Sequence, residues 1–575
     1  MKKHGQIGFS AATTIIVILS IVIIGAGFVL VNNMLKSTEL PAFQKSMPQF
    51  FKISSFPEKG QIGTVFRINL ELTNKTGVYH IDAKITNAGK IISTIALYDD
   101  GSHGDSSAGD GIYANTWDSS GNSEGVYDLN IIINPSDKQI EYEKVASLNI
   151  FKEKCESLIY NGDPAEKVDV AIVPYGYSNL DDFRQDALNW ITKGLLNYEP
   201  FKSEKDKFNF YIVNQKSDFL CNRDNATRTL MYCDDIAVER TASQCPSDEI
   251  VVILDDKEFC GTASSYAKAC NGWNLRQVAT HEFGHSFAGL GDEYSYGSAY
   301  PQYKIIAEDY PNCDVDGCKK WQNINNIGCY GGCGSDELFR ATKENCIMKK
   351  YVDTFCPVCE NHIEYILENY EKGEIQNLAA MPAEKIYLVD LKYEKGNLSF
   401  KDVYATSGTA PDRKIKEKAD YTAKLMSFDN KVIYSFDFAL PNILHLPPPQ
   451  NENESSIGSV ILDKLEWTIP AKQSDKASKL DIYDSQKKLL SIDVGYFSNS
   501  CGDGKCEKHE SALECPSDCK ENIKDDLCNY EKNGICDPDC KNVDPDCKKE
   551  NWILAGLIAV SVILIIAIVM IGRRK

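Results

Sequence analysis

Cysteine is absent from the first 154 residues and again between Cys359 and Cys501, so the 21 cysteines of this 575-residue chain fall into two blocks. Disulfides are thereby excluded from the two long cysteine-free stretches. Basic residues are also in deficit. With 62 Lys and Arg against 82 Asp and Glu, the formal net charge is −20, which argues against a nucleic-acid partner and suits a non-sticky surface. Apolar residues are not scarce, and 43% hydrophobic composition supplies several cores.

The first block, Cys155 to Cys359, holds 13 cysteines, an odd count that leaves a thiol over if the others pair. Within it, Cys356-Pro357-Val358-Cys359 reads as a structural element or as a redox pair. The second block, residues 501–547, has eight cysteines in a short acidic stretch with few apolar residues. Such a stretch cannot bury a sufficient core, so disulfide staples are expected, with a zinc knuckle as the competing reading. Asp503, Asp518, Asp537 and Asp539 in it are calcium-ligand types that also serve as solvated turns.

Both ends carry long apolar runs. Residues 552–571 are long enough to span hydrocarbon and are followed by Gly572-Arg573-Arg574-Lys575; near the start, Lys2 and Lys3 precede the run 15–31. These runs predict a leader or signal anchor over 1–35 and a transmembrane helix over 551–572. The location that follows is the cell membrane, anchored once or twice, with the intervening chain facing outside. A faint pilin-like leader at Gly5 to Phe9 adds the alternative of an envelope-structural subunit.

Residues 41–150 alternate apolar and polar positions, as in Val65-Phe66-Arg67-Ile68-Asn69-Leu70, and predict an immunoglobulin-like β-sandwich. In its acidic loop, Asp99 to Gly111, the same Asp and Gly residues serve as turn formers or as calcium ligands. Short alternating runs in 381–500 predict a second β-rich accessory domain, interrupted by Pro447-Pro448-Pro449.

The chemistry is concentrated in His281-Glu282-Phe283-Gly284-His285. On a helix, positions i and i+4 share a face, so His281 and His285 can offer two imidazoles to one metal with Glu282 beside them. Context supports the helix: Glu249 to Leu254 reads as a buried strand, Gly261 to Ser264 as an edge strand, and Trp273 to Ala288 as the motif-bearing helix. Gly289 can end that helix at positive φ and turn the chain back, bringing Asp292, three residues on, towards the metal.

The segment His281 to Tyr294 (HEFGHSFAGLGDEY) resembles the active-site segment of the IgA-peptidase-like family of zinc metallopeptidases. The resemblance extends to Val168–Tyr177, Phe183–Asn197, Glu199-Pro200-Phe201, Phe208-Asn209-Phe210, Cys346-Ile347-Met348 and Phe355 to Cys359. It covers roughly residues 155–375. It implies an α/β metzincin-like zinc protease domain, flanked here by the β-sandwich domains, with the cysteine-rich segment and transmembrane helices at the ends. By the same resemblance Met348 forms the methionine turn and the third zinc ligand is Asp292, with Glu293 as the alternative; Glu360 and Glu364 are weaker candidates. The interval from His285 to Gly289 is one residue longer than the metzincin pattern, which leaves Asp292 against Glu293 open.

Two imidazoles and one carboxylate leave a position on Zn2+ for water, with Glu282 as general base and then acid. Tyr294, Tyr296 and Tyr351 are candidate donors to the oxyanion. The expected function is a membrane-anchored, outward-facing zinc endopeptidase acting on protein or peptide substrates. The alternative is a cell-surface adhesion or binding protein that uses a protease-like fold without turnover.

Overall fold

The structure, a computed structural model, describes residues 51–73, 80–134, 140–152, 154–225, 227–295, 309–324, 327–370, 385–411, 419–447, 459–485, 487–498, 505–506 and 518–519. Regular structure is 44% strand against 16% helix, so the expected α/β metzincin-like architecture is corrected to a predominantly β-sheet one. The cause is the two flanks, whose period-2 patterning makes them almost entirely strand and whose sheets merge.

On the N-terminal side, Lys59–Gln61, Ile140–Phe151, Gly125–Asn134, His80–Asn87 and Lys90–Leu97 form a five-stranded sheet in that spatial order. Phe51–Phe56, Val65–Leu72 and Ile112–Asp118 pack over it around Phe66, Ile68, Trp117, Tyr127 and Leu129. These last strands do not end a separate domain. Through the pairing of Val65 with Ala405, Val65–Leu72 joins Asn397–Ser407, followed by Lys385–Glu394 and Lys464–Lys472. The two β segments predicted as separate flanking domains thus share one six-stranded sheet.

The expected helical anchors also find no support among the described residues. The helices of the described residues are at most 14 residues long, and none is long and apolar enough to cross a membrane. A 14-residue helix spans about 21 Å, short of the roughly 30 Å hydrocarbon core. The membrane placement and cell-membrane location expected from such anchors find no support among the described residues, outside which the runs 15–31 and 552–571 lie. Of the cysteine-rich segment 501–547, the described part shows the disulfide Cys506–Cys519.

Between the flanks, six strands form a mixed sheet: β1 (Cys155–Ile159), β2 (Val168–Tyr175), β3 (Phe208–Val213), β4 (Glu249–Leu254), β5 (Gly261–Ala263) and β6 (Ala267–Cys270). Their spatial order is β5-β6-β4-β2-β3-β1, with β2 parallel to β3 and β4, and with β5 antiparallel to β6 at the edge. β2, β3 and β4 are almost wholly buried apolar runs, as parallel strands covered on both faces must be. Among the described residues four α-helices accompany them: α1 (Leu180–Lys193), α2 (Asp235–Ala242), α3 (Leu275–Ala288) and α4 (Pro357–Tyr370). Arg240 on α2 docks this unit onto the shared sheet, reaching Asp390 at 2.5 Å and lying over the rings of Phe56 and Tyr404.

α3 carries His281 and His285 on one face and Phe283 and Phe287 on another. Phe201 holds the apolar face, with its ring 5.8 Å from both Phe283 and Phe287, 5.7 Å from Phe208 and 5.9 Å from Phe355. Trp190 of α1 adds an edge contact to Phe283 at 5.9 Å. The Phe201→Ala variant is expected to lose about 3–5 kcal/mol of stability, since one ring supports strand, helix and the segment before α4 together. Denaturant midpoints measure this, and a loss below about 1 kcal/mol would remove Phe201 from that role.

Candidate metal centre

α3 ends as the glycine spacing predicts. Gly289 adopts φ 58°, and its N–H and that of Leu290 return to the carbonyls of His285 and Gly284 at 3.0 and 3.2 Å. This cap has a chemical consequence, because it brings the Leu290 carbonyl under the His285 ring, where Nδ1 donates to it at 2.5 Å. His281 Nδ1 likewise donates to the Ile347 carbonyl at 3.0 Å. A carbonyl can only accept, so both Nδ1 atoms carry the proton and both Nε2 atoms present a lone pair.

Those lone pairs face one another. His281 Nε2 and His285 Nε2 are 3.1 Å apart, and Asp292 Oδ1 lies 3.2 Å from the first and 3.1 Å from the second. Asp292 is thereby the carboxylate brought to the histidines. Burial holds His281 below its ordinary value, in the neutral form that binds metals. The three donors fit one zinc ion: tetrahedral bonds of about 2.0–2.1 Å place ligand atoms about 3.3–3.4 Å apart.

Glu282 is fully buried, and neither of its carboxylate oxygens has a hydrogen-bond partner among the described residues. Burial, reinforced by the charge of Asp292 and opposed by Lys268, pushes its carboxyl well above the ordinary range. Gly261 of β5 makes room for it, since a Cβ there would lie 2.5 Å from Glu282 Oε1. Met348 lies beneath the helix at Gly284, where a Cβ would come within 2.9 Å of its sulfur. Tyr351 is half-buried with its ring 6.4 Å from that of His281, and the burial of its hydroxyl keeps it protonated. Tyr294 donates its hydroxyl to the Leu446 carbonyl. Tyr296 lies outside the described residues.

Glu293, the alternative ligand, does not join this group. Its Oε1 faces Cys356 Sγ and Cys359 Sγ at 3.4 and 3.5 Å. Glu360 and Glu364 stand on α4, half-buried and exposed, outside the cluster. In the acidic loop, Asp99, Asp105 and Asp110 bring carboxylate oxygens within 4.8 Å of one another. Asp99 accepts the N–H groups of Asp110 and Gly111, and Asp105 that of Gly101, so the loop is closed as turns by its own carboxylates.

His445 was not found from the sequence, for it carries no motif and comes 160 residues after His285 in the chain. Its ring stacks on His285 at 4.0 Å between centroids, and its Nδ1 is 4.0 Å from Asp292 Oδ2. The short strand β7 (Ile443–Leu444) leads into it, and His445 pairs with Ala263 of β5 through N–H to O contacts of 2.8 and 3.2 Å. The free side of the edge strand β5 is therefore met by the chain's own residues. Lys268 on β6, buried beside Tyr266 at 4.2 Å and electrostatically coupled to Glu282, was likewise missed.

No known protein family matches the chain by sequence profile. An uncharacterized protein of Archaeoglobus fulgidus is 33% identical over 97 residues, which is 14% of this chain and 46% of that protein; the match thus spans less than half the relative's own length. Among solved structures, Cwp6 from Clostridium difficile is 9% identical, with 45% of this chain and 43% of that one covered at a TM-score of 0.17. A Paenibacillus cycloisomaltooligosaccharide glucanotransferase, complexed with cycloisomaltoheptaose, is 9% identical, with 77% and 71% covered at a TM-score of 0.14. Neither likeness reaches a level that bears on fold or function.

The Asp292→Asn variant is expected to lose zinc affinity by more than the roughly 10–100-fold that follows loss of an outer-sphere partner, because it removes the charge that offsets the cation. Competition against a chromogenic chelator measures this; unchanged affinity would take Asp292 out of the ligand set.

Proposed function

We propose that the protein is a zinc-dependent hydrolase of peptide bonds, with His281, His285 and Asp292 as metal ligands and Glu282 as general base and acid. The observation that carries the reading is the convergence of three buried acceptor atoms, two Nε2 and one Oδ1, within 3.2 Å of one another. The resemblance of His281 to Tyr294 to the IgA-peptidase-like active-site segment points the same way.

Zinc bound there supplies a Lewis acid and a water with a pKa near about 7. Glu282, beside His281 in a dry pocket, takes up the water proton and returns it to the departing amine. The Nδ1 bonds to Leu290 and Ile347 fix both rings. The protonated Tyr351 hydroxyl, on a ring near His281, is the donor assigned to the oxyanion. β5 is the strand along which an extended substrate adds, with main-chain bonds giving affinity and pockets giving selection.

In the described state that strand carries His445, so the enzyme rests closed, and substrate enters only when residues 443–447 leave. Turnover therefore depends on displacing a segment of the chain itself.

The full-length protein is to be incubated with a degenerate peptide library and new termini read by mass spectrometry. The Glu282→Gln variant is expected to keep its zinc and lose about 10²–10⁴-fold in kcat/KM. Cleavage undiminished in that variant would overturn the assignment. Absence of cleavage by every form, zinc-loaded and with the closing segment weakened, would favour a binding role without turnover. The His445→Ala variant, which removes the ring stacked on His285, is expected to raise kcat/KM several-fold, and a fall would show that His445 assists the reaction instead of closing the site.

A further inference from the structure

Five disulfides account for ten of the thirteen cysteines in the first block: 155–245, 221–233, 260–270, 313–333 and 318–329. The other three, Cys346, Cys356 and Cys359, are free and buried. They meet one another and Glu293, which is buried to 0% exposure. Cys346 Sγ and Cys359 Sγ are 3.8 Å apart, and Cys356 Sγ and Cys359 Sγ 3.5 Å. Glu293 Oε1 is 3.4 and 3.5 Å from the sulfurs of Cys356 and Cys359.

These spacings discriminate between two chemistries. A disulfide needs sulfurs about 2.05 Å apart and joins two of them, leaving the third thiol and the carboxylate buried together. A tetrahedral zinc ion with bonds of about 2.3 Å to sulfur and 2.0–2.2 Å to oxygen puts sulfurs about 3.8 Å apart and sulfur and oxygen about 3.5 Å apart. The observed separations match the second set. Supporting contacts are also those of a metal site. The Cys356 N–H donates to Cys346 Sγ at 3.2 Å, and Asn312 Nδ2 donates to Glu293 Oε1 at 3.1 Å. Glu293 Oε2, fully enclosed, has no hydrogen-bond partner among the described residues.

We propose that Glu293, Cys346, Cys356 and Cys359 form a second, structural zinc site. Four protein ligands close the coordination sphere, so this ion has no position for water or substrate, and the thiolate-rich set selects zinc over the hard cations calcium and magnesium. The thiols give up their protons on binding. The site's role follows from what it ties together. Glu293 is the neighbour of Asp292 and its N–H donates to the Met348 carbonyl at 2.8 Å; Cys346 precedes Ile347, whose carbonyl orients His281; Cys356 and Cys359 start α4. One ion would fasten the third ligand, the methionine turn and a helix together beneath the first centre.

The proposal stands whether or not the first centre hydrolyses anything, and its first test leaves these four residues intact. The full-length protein and its His281→Ala, His285→Ala double variant are purified under non-reducing conditions without added metal. Bound zinc is then counted by mass spectrometry, and the zinc K-edge absorption spectrum is recorded. The double variant is expected to retain about one zinc per chain with a shell of three sulfurs at about 2.3 Å and one oxygen. Alkylation of the unfolded, unreduced chain after zinc is chelated, followed by peptide mapping, is expected to label Cys346, Cys356 and Cys359. A double variant without zinc, a shell of nitrogen and oxygen only, or two of the three thiols joined as a disulfide would overturn the proposal. A Cys359→Ser change made alongside is expected to remove that zinc and lower the melting temperature, and retention of the sulfur-rich shell would equally contradict it.

Discussion

Three acceptor atoms held face to face in a water-excluded pocket repel one another unless a cation lies between them, and the rest of this mixed-sheet unit is arranged to keep them there. The Nδ1 protons of His281 and His285 are committed to main-chain carbonyls, so neither ring can turn its N–H towards its partner or towards Asp292. Each carbonyl is fixed by local structure: that of Leu290 by the glycine cap of α3, that of Ile347 by the segment between Cys346 and Met348. The apolar face of α3, packed on Phe201 and Trp190, prevents the helix from relaxing away from this arrangement. A buried polar cluster of this kind is costly unless charge and coordination satisfy it, which is why its persistence points to function.

Asp292 and Glu293 are chemically alike and adjacent, yet their surroundings assign them to different tasks. Asp292 reaches the imidazoles, and Glu293 reaches the three thiols on the other side of the same peptide. The ambiguity left by the sequence, where the interval after His285 runs one residue longer than the metzincin pattern, is a matter of direction that spacing does not encode. Both carboxylates are used, in separate clusters.

What could be read from the sequence was local. The i,i+4 histidines, the glycine cap, the buried run Glu249–Leu254 and the edge strand at Gly261 all depend on neighbours within a few residues, and each has its element in the fold. What could not be read was long-range. The pairing of Val65 with Ala405 fuses two segments that looked like separate domains, because an alternating strand pattern says which face is buried and not which strand lies alongside. His445 comes to the centre through a two-residue strand with no signal of its own. The odd cysteine count did hint at unpaired thiols, but only the fold brings Cys346 to the Cys356–Cys359 pair and Glu293 to all three. Apolar runs at the termini led to an expectation of membrane anchors that the helices of the described residues do not support.

The most direct test of the central claim is an anomalous-difference electron-density map from crystals of the full-length protein, with data collected on both sides of the zinc absorption edge. The account predicts a peak about 2.0–2.2 Å from His281 Nε2, His285 Nε2 and Asp292 Oδ1. Crystals grown with zinc that show no edge-dependent peak at that point, with the two imidazoles turned to share hydrogen bonds with Asp292, would contradict it.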